Sequence, residues 1–183
     1  ERKGDLKNMV ADGHGRVQLE YIIPTRGLIG FHGRFLTLTS GSGIIHHVFD
    51  HYAPQHPGKI TSRSRGVLIA NGAGKASAFA LWNLQERGEM LIHPQTEVYE
   101  GMLVGVHSRD NDLVVNVIKG KQLTNVRASG SDENISLTPP LQFTLEQALD
   151  FIESNELVEV TPKAIRLRKK QLLESMRKRE SRS

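Results

Sequence analysis

Apolar and polar residues alternate along Val17-Gln18-Leu19-Glu20-Tyr21-Ile22-Ile23, the two-residue period of a half-buried strand that Pro24 stops. Asp12-Gly13-His14-Gly15 reads as a turn, which makes Leu6 to Val10 the partner strand of a hairpin. The period then changes. Leu28, Phe31, Phe35 and Leu38 recur at three- and four-residue steps, with Ile29 and Leu36 widening the stripe, so a helix is predicted from Gly27 to about Thr39. Thr25 would cap it and Ser40-Gly41-Ser42-Gly43 would end it. Ile44 to Phe49 is predicted as a further strand. Strand, strand, helix, strand is the second part of a ferredoxin-like βαββαβ unit, whose opening strand and helix would precede Glu1.

Tyr52 to Gly66, with Pro54 and Pro57, reads as a linker or long loop. Beyond it the pattern breaks into short strands at regular spacing: 67–70, 76–81, 90–93, 97–99, 102–107 and 113–118. Asn71-Gly72-Ala73-Gly74, Glu86-Arg87-Gly88 and Asp110-Asn111-Asp112 punctuate them, a texture that predicts a small antiparallel barrel or sandwich. Thr144 opens a helix with Glu146 and Gln147 in its first turn. Short strands are expected at Val158–Thr161 and after Pro162, and a charged helix or unstructured arm from Gln171. The fold class is therefore α+β. A partial ferredoxin-like domain (1–52) precedes a β-rich, barrel-like domain (53–183) that carries one helix and a basic tail at about 163–183.

Periodicity is lost altogether at Lys119. The preceding chain is an apolar strand to His107, a turn at Arg109-Asp110-Asn111-Asp112, and a returning strand, Leu113 to Ile118. From Lys119 to Asn134 the residues are short and polar, and only Leu123, Val126 and Ala128 could anchor to a core. Loops this long without secondary structure of their own are either working parts or mobile surface.

Composition adds bounds. The 183 residues suffice for one large or two small domains. Hydrophobic residues at 38% and charged residues at 24% describe an ordinary soluble globular protein. No apolar run approaches the ~20 residues that span a bilayer, the first residues are no signal peptide, and a start other than Met suggests a piece of something longer. With no cysteine, disulfides and thiolate chemistry are excluded, which is compatible with a reducing cytoplasm. The net charge of +4 hides a segregation: residues 163–183 carry +7 and residues 1–162 carry −3. Glu146, Asp150, Glu153, Glu156 and Glu159 stand together in 141–162 without a Lys or Arg. A polyanion partner is thus expected for the tail and loop, not for the whole surface.

Gly72-Ala73-Gly74-Lys75 fails the phosphate-loop pattern, because Ile69 stands where the first glycine should be and Ala76 replaces the magnesium-binding Ser or Thr. A hairpin turn is the simpler reading. His46, His47 and His51 invite a metal site, but neighbouring strand residues point to opposite faces, so none is expected. A metal-dependent hydrolase centred on His47 and His51 remains a third, minor possibility. No nucleophile elbow is present, so no catalytic residue is expected.

Basic residues at turns are the remaining signal, since phosphate contacts need Lys or Arg heads on backbone that can approach closely. Singly each reads as a solvated surface charge; their grouping strengthens the case. The candidate RNA-binding residues are Lys75, Arg109, Lys119, Lys121, Thr124, Asn125, Arg127 and Ser129, with Arg63, Arg65, Arg168, Lys169 and Lys170 as a secondary set. The competing reading is a protein-docking domain whose acidic helix at 144–156 meets a basic protein partner.

Several motifs carry a resemblance in order. Pro24-Thr25-Arg26-Gly27-Leu28-Ile29-Gly30-Phe31, then Phe35-Leu36-Thr37, resembles the last helix of the carboxyl-terminal domain of elongation factor G-type translational GTPases. Gly66-Val67-Leu68-Ile69, Val98-Tyr99-Glu100-Gly101-Met102, His107-Ser108-Arg109, Gly120-Lys121-Gln122-Leu123-Thr124-Asn125, Arg127-Ala128-Ser129-Gly130 and Thr144-Leu145-Glu146-Gln147-Ala148-Leu149 resemble the terminal domain particular to the BipA/TypA family. The resemblance implies a ribosome-associated GTPase with roles in large-subunit assembly and in stress or cold adaptation. It implies partners in ribosomal RNA, ribosomal proteins and the A-site tRNA, the last reached by the Lys119–Gly130 loop. GTP and magnesium would belong to a GTPase domain that these residues do not include. Neither a cofactor, nor a small-molecule substrate, nor a membrane is expected here, and the location implied is cytoplasmic.

Overall fold

The computed structural model describes residues 2–55, 57, 63–120 and 136–180. The chain divides into two compact units, one of Glu1–Ser62 with Leu149–Phe151 and one of Arg63–Ala148 with Ile152–Ser183.

In the first unit β1 (Asp5–Ala11) and β2 (Val17–Ile22) form the expected antiparallel hairpin. The register shifts between Leu6 and Asn8, so that Leu6 stands opposite Tyr21 on the same face as the Met9–Leu19 pair. The predicted single helix is two: α1 (Thr25–Leu28) and α2 (Phe31–Leu38). Gly30 between them has φ 67°, a left-handed conformation that ends a helical run and that glycine adopts without strain. The guanidinium of Arg2 donates to the freed carbonyls of Gly27 and Ile29 at 2.9 and 2.7 Å and lies 5.4 Å from the Phe31 ring centre. The strand expected at Ile44–Phe49 does not form. Ile44, Val48 and Phe49 are mostly exposed and no ladder pairs them among the described residues. A run of strand-forming residues becomes a strand only beside a partner edge, and none is offered among the described residues. The ferredoxin-like arrangement is accordingly reduced to a hairpin followed by two short helices.

The second unit is built on β3 (Val67–Ala70), whose four consecutive apolar residues are all buried, as a strand covered on both faces requires. β4 (Gly74–Lys75) and β6 (Glu97–Val98) make a separate ribbon. β5 (Gly88–Met90), β7 (Leu103–His107) and β8 (Leu113–Val115) join β3 in a four-stranded sheet of order β5-β7-β3-β8. The β3–β8 pairing is parallel, so Leu113–Val115 does not return beside β7; β3 lies between them. No closed barrel forms among the described residues, and the expected barrel is replaced by this mixed sheet and two-stranded ribbons. Residues 76–81, expected as a strand, instead lead into helix α3 (Ala78–Leu84), because the Ser77 hydroxyl accepts from Ala80 N–H at 3.0 Å and caps it. Ala80 and Leu81 then face the core that Leu68, Val104 and Val117 share. Helix α4 (Leu145–Phe151) opens at Thr144 as expected, and a capping box joins Thr144 and Gln147. β9 (Glu156–Val160) and β10 (Ile165–Lys169) form an antiparallel ribbon, followed by α5 (Glu174–Glu180).

A group of four charges holds the second unit together. Glu156 is 2% exposed and accepts from the Arg63 guanidinium at 2.5 and 2.6 Å and from Lys169 Nζ at 2.7 Å. Lys169, also 2% exposed, reaches Asp112 at 2.6 Å, and Asp112 accepts from the first amide of β3, Val67 N–H, at 3.0 Å. Gly66, one residue earlier, lies so close to the Asn111 carbonyl that any Cβ would overlap it. Burial opposes the Glu156 charge, but hydrogen bonds from Arg63, Lys169 and the Glu153 amide outweigh it and hold the carboxyl below its usual value of 4.5.

Glu156→Gln should therefore destabilise the chain by roughly 3–5 kcal/mol at neutral pH, because two cations lose their buried partner. Denaturant unfolding measures this, and an unchanged midpoint would contradict it. Since the folded carboxyl titrates lower than the unfolded one, its contribution is complete above about the ordinary glutamate value and disappears as acid carries the pH down through the folded value. The variant should lose that part of the acid dependence.

Candidate nucleic-acid interface

Strand direction sorts the basic residues. β3, β5 and β8 run one way and β7 the other, so the residues entering β3, β5 and β8 and leaving β7 share one sheet edge. Arg65, Arg87, Arg109 and Asp112 lie there, joined through backbone bonds from Gly66 N–H to Arg109 O (2.7 Å) and Ser108 N–H to Arg87 O (2.8 Å). Lys75, five residues past the end of β3, and Lys119, four residues past the end of β8, follow the opposite ends of those strands. Arg109, grouped with the loop lysines on sequence grounds, is thus separated from them.

At the second edge the chain is fastened residue by residue. Ser77 N–H donates to Val117 O at 2.9 Å, and the Ser77 hydroxyl donates to Lys119 O at 2.6 Å. The Asn116 side-chain oxygen accepts from both Ile118 N–H (3.0 Å) and Lys119 N–H (3.1 Å), which folds the backbone into a local turn. These bonds set the segment carrying Lys75 alongside the one carrying Lys119. Both lysines are exposed, and among the described residues neither has a carboxylate at ion-pair distance, although Glu97 stands opposite Lys75 in the β4–β6 register. Such a pair of unneutralised ammonium groups can take up phosphate oxygens. Lys121, Thr124, Asn125, Arg127 and Ser129 lie outside the described residues.

The secondary set divides further. Arg63 and Lys169 are turned inward to Glu156 and Asp112, so their charges are neutralised within the fold and neither belongs among phosphate contacts. Arg168 pairs with Glu159 at 2.9 Å, and the same carboxylate accepts from the Tyr99 hydroxyl at 2.6 Å. Burial, then that carboxylate, pushes the Tyr99 phenol well above its ordinary range. Arg65 pairs with Glu89 at 2.8 Å across an exposed gap. Lys170 is exposed, with its backbone N–H on Asn155 O at 2.9 Å. The acidic and basic blocks that the sequence holds apart therefore meet in the β9–β10 ribbon, where Glu156 and Glu159 face Lys169 and Arg166 in register. Within the 144–156 segment on which a docking reading would rely, that pairing takes Glu156 out of the surface.

Ser77 and Asn116 are positioning residues that the hydrophobic pattern did not single out. A serine ahead of Ala78-Phe79-Ala80-Leu81 is a cap signal, but the alternation of small and large residues there mimics a strand. Among the described residues no three histidine or carboxylate side chains converge as a metal would need, and no helix is long and apolar enough to cross a membrane.

This geometry describes a small mixed sheet presenting cations at its edge, in a chain that also carries a unit of a different kind. Residues 1–63 match the family profile described as elongation factor G C-terminus, the class of domain found in translation factors. Residues 65–174 match the TypA/BipA C-terminal domain, and the chain belongs to the TypA/BipA family. It is 57% identical over its whole length to proteins named large ribosomal subunit assembly factor BipA from Escherichia coli K12 and from Salmonella typhimurium, and 53% identical to the one from Buchnera aphidicola. The chain spans about 30% of the length of each of these relatives.

Ser77→Ala removes both the cap of α3 and the tie to Lys119. It should lower stability by about 1 kcal/mol and speed amide exchange at Ile118 and Lys119. Exchange at those amides equal to that of the unsubstituted chain would show that the tie does not order the edge.

Proposed function

We propose that this chain is a ribosome-binding, non-catalytic part of a translational GTPase that acts in assembly of the large ribosomal subunit. Its working surface is the sheet edge where Lys75 and Lys119 neutralise phosphates of ribosomal RNA or of A-site tRNA. Lys121, Thr124, Asn125, Arg127 and Ser129, which follow in the sequence, are proposed as further RNA contacts. The observation that carries this reading is the Ser77 hydroxyl on the Lys119 carbonyl at 2.6 Å, which fastens the backbone of Lys119 to the chain two residues beyond Lys75. Kinship with proteins named as large-subunit assembly factors supports the choice of partner.

On this reading the chemistry of GTP, with magnesium, belongs to residues outside these 183, and the work is cytoplasmic, where ribosomes are built. The role in stress or cold adaptation follows from subunit assembly, since RNA folding traps deepen at low temperature. No side chain here acts on a small-molecule substrate. Arg65 and Arg109, at the far edge, and Lys170, beyond β10, are accessory contacts at most.

Lys75→Ala with Lys119→Ala should weaken co-sedimentation with large subunits and reduce the log–log salt slope by about 2 units, near one for each phosphate left without its lysine. A double variant with the affinity and slope of the unsubstituted chain would remove this edge as the RNA-binding surface.

A further inference from the structure

A groove of about 570 Å³ runs between Leu141-Gln142-Phe143 on one side and the Thr161–Leu167 stretch on the other, with Ile92, Met102 and Leu103 among its apolar lining. Its size falls in the range of about 300–1,000 Å³ that encloses small ligands. Lys163 and Arg166 line it; His93, Gln142, Thr96 and Thr161 supply further hydrogen-bonding groups, and no carboxylate lines it among the described residues. Lys163 is exposed and neither it nor Arg166 is held in an ion pair among the described residues. Glu159, opposite Arg166 in register, is already engaged by Arg168 and Tyr99.

The walls are held in place. Leu141 N–H donates to Met90 O at 2.8 Å, which lays the 141–143 segment beside β5. Thr161 and Ala164 exchange three bonds of 3.0 Å, which fix the turn that carries Lys163. At one side the groove is continuous with the lysine edge: Thr96 lines it, and Thr96 O accepts from Ala76 N–H, next to Lys75, at 2.9 Å. An apolar slot with one aromatic ring, a few hydrogen-bonding groups and a cationic rim matches the chemistry of an unpaired base with its phosphate. Proteins read single-stranded RNA by stacking splayed bases on aromatic rings or arginine planes and hydrogen-bonding their edges.

We propose that this groove takes one unpaired RNA nucleotide, its base against Phe143 and the apolar floor and its phosphate on Lys163 and Arg166. The proposal rests on the RNA-contacting reading above and adds to it a preference for single strands. An acidic peptide would satisfy the rim but leave the slot without a planar occupant.

The test uses the full 183-residue chain and short oligoribonucleotides, with Lys163→Ala/Arg166→Ala set beside Lys75→Ala/Lys119→Ala. The groove variant should bind single-stranded RNA about tenfold more weakly, with the salt slope reduced by about 0.7 units for the one phosphate no longer neutralised, and should bind duplex RNA unchanged. Replacing the bases by abasic residues should weaken binding to the unsubstituted chain and leave the groove variant unaffected. Thermal melting of the variants at the parental temperature establishes that folding is intact. Equal weakening for single strands and duplexes, or indifference to base removal, would overturn the base slot. An unaffected groove variant beside a weakened Lys75/Lys119 variant would overturn the groove and leave the proposed function standing. Failure of the unsubstituted chain to bind any RNA would overturn both. Displacement by an acidic peptide that RNA cannot reverse would assign the groove to protein and overturn the nucleotide site.

Discussion

Four side chains that carry two positive and two negative charges are drawn together between Arg63, Asp112, Glu156 and Lys169, and the second unit is arranged around that closure. Buried ions are tolerated only when each is paired and hydrogen-bonded. Here Glu156 receives Arg63, Lys169 and the Glu153 amide, while Asp112 receives Lys169 and the Val67 amide. Arg63 and Glu156 are 93 positions apart, so their meeting ties the entry of the central strand to the β9–β10 ribbon. The same group pins the loop after β7 across the start of β3, where Gly66 leaves room for the Asn111 carbonyl. A net-neutral centre of this sort resists rearrangement, since moving one member strands another.

Because Arg63 and Lys169 are turned inward, the surface that can meet an anion is narrower than the count of basic residues suggests. Parallel pairing of β3 with β8 sends Lys75 and Lys119 to one edge and Arg65, Arg87 and Arg109 to the other. The arginine edge is partly compensated, Arg65 by Glu89. Among the described residues Lys75 and Lys119 have no carboxylate at ion-pair distance, and the backbone there is held by Ser77 and Asn116. Long-range attraction to a polyanion needs net charge, but recognition needs donors at fixed positions, and the second edge combines the two.

Local rules were sufficient where a pattern had one interpretation. The Thr144–Gln147 capping box, the first hairpin, the buried run of β3 and the strand ending at His107 each follow from residues within a few positions of one another. They failed where two periods fit the same letters. Ala76 to Leu81 alternates as a strand does, yet the Ser77 hydroxyl satisfies an amide of a helix; Leu28 to Leu38 keeps helical spacing, yet Gly30 turns left-handed and divides it. Ile44 to Phe49 has strand composition but no neighbouring edge to complete its hydrogen bonds among the described residues.

The family, the change of texture between the two parts and the polarity of the 119–134 loop are properties of order and composition, and the sequence determined them unaided. Strand order, the inward turn of Arg63 and Lys169, and the joining of the acidic block to the basic one were decided by the tertiary structure. A lysine's letter is the same whether its ammonium faces water or Glu156. Which it does depends on carboxylates and sheet partners tens of residues away, and no local period carries that information.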